Sequence, residues 1–571
     1  MTAGPARRRW FAAVAVLPAA VAFLVLSSDF RARNSPVTDE LAYLTSAKPV
    51  FLRGNFEVLE MFGTAPLPVV LEYGPAIWRH GDGVADIPWK DSPNDPTAID
   101  TARLTTSIVV GIPLLALVVL WVIARTGSAW LGGWAGLMLA LSPTFVAHAT
   151  VAGTDACFAL FFLLALVALG RHAERPTWGR FLVAGVAVGL AVASKYSGAL
   201  LLPAAYLIGL VGYLRTADPR TVGGFAKRAV VSVPLRLLGL SLIAGVVVWA
   251  TTGFAVSRQP PLPPPPAGAL PAGAPPAGKL VTFFREARLP SPLTALIRQS
   301  AMTTSAWQEE HGDVQVRLHG RFHPSGHRLY YLYSAAYKST LPELACAVLA
   351  VWVTVRWWTA DGTAAAIGVA ILAIALSFSA KQHGIRYLLA AYPLVFVLAD
   401  SALHRLGRYV APTLAVVLLI GQMVEAVGWR PWPISYMNRV AGGPERAVEA
   451  LAICDGDWGQ GRRELAEFLR TEGESAVLFV PGNSADADFY YGLRLLGWKE
   501  YPSPPCRYAA MSGAALAHPP ERFPRIAEFA PLRPVRVLAH CLYVYDLSDP
   551  AVWAAYQSAR TKPIRVYTNT P

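Results

Sequence analysis

Charge is scarce in this chain. Only 15% of its 571 residues are Asp, Glu, Lys or Arg, against about 25% in a soluble domain. With 54% hydrophobic residues, that shortage excludes a soluble globular protein and implies an integral membrane protein. Cysteine is scarce too. Cys157, Cys346, Cys454, Cys506 and Cys541 form no CxxC pair, which excludes the thioredoxin and paired-cysteine zinc patterns. Cys157 and Cys346 fall in apolar spans and read as small packing residues. The other three leave room for one disulfide if the C-terminal region faces an oxidising compartment. Basic runs interleaved with aromatics are missing, so the net charge of +13 is not the footprint of a nucleic-acid binder. In a membrane protein it reports cytoplasmic loops instead. No internal repeat is visible, and the candidate charges sit at span ends on one face. Both points argue against a transporter or lipid flippase, which would show inverted repeats and midplane charges.

What is present is a succession of apolar spans. The first runs from Trp10 to Ser28 behind a basic start, Arg7-Arg8-Arg9. It has no A-x-A cleavage site near its end, so it reads as a first helix rather than a signal peptide. Others fall near 104–124, 129–147, 155–170, 181–194, 197–214, 235–255, 341–357, 364–379, 386–402 and 409–428. That predicts about eleven transmembrane helices, several short enough to need tilt or local thinning. With the N-terminus cytoplasmic, the connections that should lie inside hold Arg125, Arg171, Arg175, Arg180, Arg215, Arg220, Lys227, Arg228, Arg356, Arg405 and Arg408. Two short connections on the opposite face break the rule: Lys195, and the turn Lys381-Gln382-His383-Gly384-Ile385-Arg386. Cations on the disfavoured side are candidates for function, and an anionic ligand would explain them. Interfacial snorkelling is the plain alternative.

The stretch 34–73 follows the first span and opens on two adjacent acids, Asp39 and Glu40. It is too long for a connector and too rich in Leu, Phe and Tyr for disorder. Two acids at a helix start are also what a cap requires. On the face that carries the misplaced cations, a carboxylate could act as general base on an acceptor hydroxyl while the cations hold a phosphate leaving group. Asp155 precedes another apolar run and reads both as an N-cap and as a second acid facing the same space. The long connection 256–340 opens with a Pro/Gly/Ala tract, a polyproline-type spacer. Further on, His319, His323 and His327 would share one helix face, but Pro324 and Gly326 break the helix, so a polar loop is the better reading. His311 belongs to the same loop. From Trp429 the chain turns polar. A helix is predicted at 463–470, and strands at 476–480, 536–545 and 564–567. This is a small α/β domain hung on the outside face.

In order along the chain stand Asp39-Glu40, Thr64-Ala65-Pro66-Leu67, Gly153-Thr154-Asp155-Ala156, Ser194-Lys195-Tyr196-Ser197-Gly198 and Arg386-Tyr387-Leu388-Leu389-Ala390-Ala391-Tyr392-Pro393. After them come Pro433 to Pro444 and Asp455-Gly456-Asp457-Trp458-Gly459-Gln460. This series resembles the membrane glycosyltransferases of the family 39 protein O-mannosyltransferase and aminoarabinose-transferase group. The resemblance implies an all-α polytopic GT-C domain over 1–429, with a first extracytoplasmic catalytic loop (29–103) and a Pro-rich extracytoplasmic loop (256–340). The extracytoplasmic α/β domain is 430–571. It implies sugar transfer from a polyprenyl-phosphate carrier to an acceptor at the outer face of the cell (inner) membrane, with no nucleic acid involved. No cofactor is required for this chemistry, and a divalent metal is compatible with it. The expected catalytic residues are Asp39 and Glu40. Asp155, Lys195, Lys381, His383, Arg386 and Tyr387 are the expected substrate contacts. Asn438, Asp457 and Gln460 are candidates for acceptor or lid contacts, or for a structural turn. A catalytically dead glycan-binding protein is the remaining rival. The chain departs from the family at Thr64-Ala65, where members carry His-Pro.

Overall fold

A computed structural model describes residues 5–84, 96–216, 231–258, 288–302, 316–323, 326–356, 360–379, 381–446, 450–451, 455–480, 491–516, 520 and 523–563. The Pro-rich tract, His311, Cys454 and the strand expected at 564–567 lie outside the described residues.

Apolar residues on every side of a helix suit a lipid environment, and this chain has many such helices. Among the described residues, five are long and apolar enough to cross a membrane: Ala13–Arg33, Thr97–Thr126, Thr154–Glu174, Val233–Ala250 and Val410–Trp429. The stretch expected as one straight span at 129–147 is two helices, Ala129–Ala140 and Pro143–Thr150, bent by 72°. Ser142 caps the second through the Phe145 amide, and Pro143 takes the first helical position, where a missing N–H costs nothing. Four shorter apolar helices follow the pattern: Trp178–Ser194, Tyr196–Gly212, Gly362–Ser377 and Ala391–Leu403. The expected count of eleven includes these and Leu341–Arg356. The chain is a multi-pass membrane protein. The helix expected from 386 begins only at Ala391. The residues before it, Ile385–Leu388, form a 3-10 turn.

The first loop folds as helices Thr38–Arg53, Glu57–Met61 and Pro66–His80. They enclose a core of their own around Leu44, Leu59, Tyr73 and Ile99. Beyond the last membrane helix the chain forms a five-stranded sheet in the order Arg494–Leu496, Ala476–Val480, Tyr508–Ser512, Leu542–Asp546, Arg536–Leu538. The first two pairings are parallel and the others antiparallel. Helices Arg462–Thr471 and Pro550–Arg560 complete this domain. The span expected as one strand over 536–545 is two, because Ala539 and His540 turn the chain at φ 49° and 55°. Cys506 and Cys541 are free thiols.

The domain is tied to the start of the first loop. The Ser35 amide donates to the Gln460 carbonyl at 2.9 Å, and the Arg463 amide to Ser35 Oγ at 2.7 Å.

Candidate active site

Successive residues on a helix point about 100° apart. Asp39 and Glu40, both in the first turn of Thr38–Arg53, therefore separate. Glu40 is fully buried. Its Oε1 accepts from Arg103 Nε at 2.8 Å and the Ala152 amide at 3.1 Å. Its Oε2 accepts from Arg103 Nη2 at 2.7 Å and the Val37 amide at 2.9 Å. Arg103 also donates to the carbonyls of Asn34 and Ser35, both at 2.8 Å. Glu40 thus pins the loop helix to the membrane helix Thr97–Thr126. It does not line the cavity described next, so it positions its neighbour rather than facing a substrate.

Asp39 lines a cavity of about 700 Å³. The side chain is 31% exposed, and its Oδ2 accepts from Arg386 Nη1 at 2.5 Å. Asp155, near the start of Thr154–Glu174, accepts from Lys195 Nζ at 2.5 Å and has Arg386 Nη1 at 3.8 Å. The Lys195 ammonium lies 3.7 Å from the centre of the Tyr387 ring. Arg386 donates through Nε to the His383 carbonyl at 3.1 Å and lies 4.3 Å over Trp458. Six of the predicted substrate contacts and Asp39 therefore share one cavity. Asn438, Asp457 and Gln460 do not line it. The Asn438 amide nitrogen donates to the carbonyls of Ala336 and Ser339 at 2.6 and 2.8 Å. Asp457 accepts from the Gly459 amide and the Ser512 hydroxyl. Gln460 is held by Ser435, Gly456 and Trp458. All three fix the junction with the C-terminal domain.

Local sequence explains the two cation-bearing turns. After Trp178–Ser194 the chain doubles back as the turn Tyr196–Leu200. A Cβ on Gly198 would fall 2.6 Å from the Ala191 backbone, so only glycine permits the close approach that holds Lys195 at the cavity. Gly384 has φ 80°, which favours glycine, and it precedes Ile385–Leu388. The Ile385 amide is then held by Asp455 Oδ1 at 2.7 Å. Trp458 and Asp455, which carry and brace the Arg386 turn, sit inside the sequence motif but were not singled out by it. Arg103 was missed as well, being one more cation in a long loop.

The cavity wall holds three cations, Lys195, Lys381 and Arg386, against two carboxylates, Asp39 and Asp155. The lining also has an apolar part, with Leu200, Pro203, Leu372, Ala375, Leu376 and Phe378. That combination fits an anionic headgroup with a hydrocarbon tail. Among the described residues no three His, Cys, Asp or Glu side chains gather as a metal site. His319 lies in the turn of a hairpin, Val316–Leu318 with Arg321–His323, and packs edge-on to Tyr333.

Burial and the neighbouring Arg386 and Lys195 lower the Lys381 ammonium to about 8, and push the His383 imidazole well below its usual value, so that it is neutral. Lys381 is thus charged below about pH 8 and neutral above it. Binding of a singly charged phosphodiester lipid is expected to weaken as pH rises through 8. Lys381→Arg, whose guanidinium stays charged, should keep its affinity to higher pH. Equal pH profiles for the two proteins in a lipid-binding titration would remove Lys381 from the anion contact.

Residues 100–249 match the family model described as dolichyl-phosphate-mannose-protein mannosyltransferase. The chain resembles the family 39-like GT-C membrane glycosyltransferases. The segment matched to this family holds Arg103, Asp155 and Lys195. Among solved structures, the chain is similar to ArnT from Cupriavidus metallidurans bound to undecaprenyl phosphate. Identity there is 15%, coverage 96% of this chain and 99% of that one, and the TM-score 0.46. It is also similar to the oligosaccharyltransferase AglB from Archaeoglobus fulgidus, in complex with an inhibitory peptide and a dolichol-phosphate (11% identity, 89% and 71% coverage, TM-score 0.44). A third is the S. cerevisiae protein O-mannosyltransferase Pmt1-Pmt2 complex bound to the sugar donor (16% identity, 44% and 34% coverage, TM-score 0.33). A search of curated protein sequences finds no match to the chain.

Proposed function

We propose that this chain is a glycosyltransferase that moves a hexosyl or pentosyl group from a polyprenyl-phosphate carrier to a protein, lipid or glycan acceptor. One observation carries the reading: a single cavity gathers a part-exposed carboxylate, an excess of cations and an apolar part of its lining. The carrier phosphate would bind Arg386, Lys195 and Lys381, with its tail along the Leu372–Phe378 side. Arg386 would exchange its contact with Asp39 for the phosphate, leaving Asp39 free to accept a proton. The acceptor oxygen then attacks the anomeric carbon from the face opposite the phosphate. The new C–O bond forms as the C–O bond to phosphate breaks, the acceptor proton passes to Asp39, and the anomeric configuration inverts. The lipid phosphate leaves with its charge paired by the cations, which stabilise it most where charge develops.

The test is incubation of the purified protein with labelled polyprenyl-phosphate sugars. Loss of label from the lipid into an acceptor fraction is the expected result, and retention of label on every donor refutes the proposal. In this reading the N-terminus lies in the cytoplasm, and the cavity and C-terminal domain lie outside the inner membrane, as the Lys/Arg distribution implies. A reporter fused after Pro571 that is active only in the cytoplasm would overturn that orientation.

A further inference from the structure

The charged groups are only part of the cavity lining. It also takes in the first-loop turn at Gly63-Thr64-Ala65 and the helix Ser291–Met302. That helix is seated firmly. The strand Val256–Arg258 pairs with Arg288–Pro290 just ahead of it, and the Ser291 amide donates to the Ala255 carbonyl at 3.0 Å. Ser257 and Thr294 share a hydrogen bond at 2.9 Å between their hydroxyls. Ala295 is buried against Ala65 and Tyr196. Residues three and four apart share a helix face, and the residues of this helix that line the cavity are Leu296, Gln299 and Ser300. The Gln299 Oε1 and Cβ lie over Gly63, where an added Cβ would fall 2.8 and 3.1 Å from them.

Gln299 differs from the charged residues around it. Asp39 and Arg386 hold each other, as do Asp155 and Lys195. Among the described residues no hydrogen bond engages the Gln299 amide. A neutral amide offers two donors and an acceptor in a fixed plane. It adds nothing to phosphate binding by charge, but it suits the mixed donor and acceptor character of sugar hydroxyls.

Building on the glycosyltransferase reading, we infer that Gln299 is a specificity-determining residue that hydrogen-bonds a ring hydroxyl of the donor sugar, with the phosphate seated on the cations of the cavity. The class of ligand is a hydroxylated, uncharged face of a lipid-linked monosaccharide. A site built to hydrogen-bond a hydroxyl discriminates against analogues that lack it, because its polar group is left unpaired.

Gln299→Met keeps the side-chain length but removes the amide. The experiment compares this variant with the parent on the accepted polyprenyl-phosphate sugar and on its single-deoxy analogues. It also measures binding of the sugar-free polyprenyl phosphate. The expected result is a loss of about tenfold in kcat/KM for the full sugar. Little change is expected for one deoxy analogue, and binding of the sugar-free lipid should match the parent. A loss equal on all sugars, or a variant that weakens sugar-free lipid binding as much as sugar transfer, overturns the assignment. Failure of the parent protein to transfer any sugar overturns instead the reading on which it rests.

Discussion

Asp39→Asn is expected to insert and fold as the parent does, to bind the carrier lipid, and to lose transfer by about 10²–10⁴-fold. Asn keeps the shape of Asp and can still accept from Arg386, but it cannot take up a proton at neutral pH. Asp39 opens the helix Thr38–Arg53, so a capping role has to be separated from a chemical one. Asn caps a helix about as well as Asp, and a residue that only caps would therefore leave turnover unchanged in this variant. The measurement is single-turnover sugar release together with lipid binding on the same preparation. Wild-type release sinks the catalytic assignment of Asp39.

Arg103→Met should have the largest effect on stability. It leaves the Glu40 carboxylate fully buried with only the amides of Val37 and Ala152 as donors. It also strips the carbonyls of Asn34 and Ser35 of their partner. Removing one member of a buried ion pair costs about 3–5 kcal/mol. Adding Glu40→Gln removes the stranded charge and should recover part of the loss. The backbone groups that Arg103 bridged remain unpaired. Glu40→Gln alone should lower the melting temperature while leaving turnover of the folded fraction much less affected than Asp39→Asn. Thermal unfolding of the detergent-solubilised protein reads the difference. An unshifted transition for Arg103→Met would show that the pair does not hold the loop.

The helical body was legible because lipid exposure writes itself as long apolar runs, and each predicted span meets a helix. The bend at Ser142-Pro143 was missed because hydropathy averages across it. Lys195 and Arg386 stood out because they break the alternation of Lys and Arg between successive connections. Asp39 and Glu40 could not be told apart, since adjacency in sequence says nothing about which way each side chain turns. The structure separates them by their surroundings, one wrapped by Arg103 and two amides, the other open to the cavity. Gln299 carried no signal at all. It lies beyond a low-complexity tract, and its place depends on a short strand pairing between residues 256–258 and 288–290 that no local pattern announces. In the C-terminal domain the strand Ala476–Val480 was visible as an apolar β-rich run. Arg494–Leu496 is three residues long and offers too little period to read.

The two acids also differ in how long each must wait for its partner during synthesis. Glu40 and Arg103 are 63 residues apart in the chain, whereas Asp39 and Arg386 are separated by 347. At a synthesis rate of about 5–20 residues per second, the first pair can close roughly 3–13 s after Glu40 is made, and the second only after roughly 17–70 s. The loop is therefore anchored early by one carboxylate. The other spends most of the chain's biogenesis without its arginine, and the charged centre comes together only when the last membrane helices are arriving.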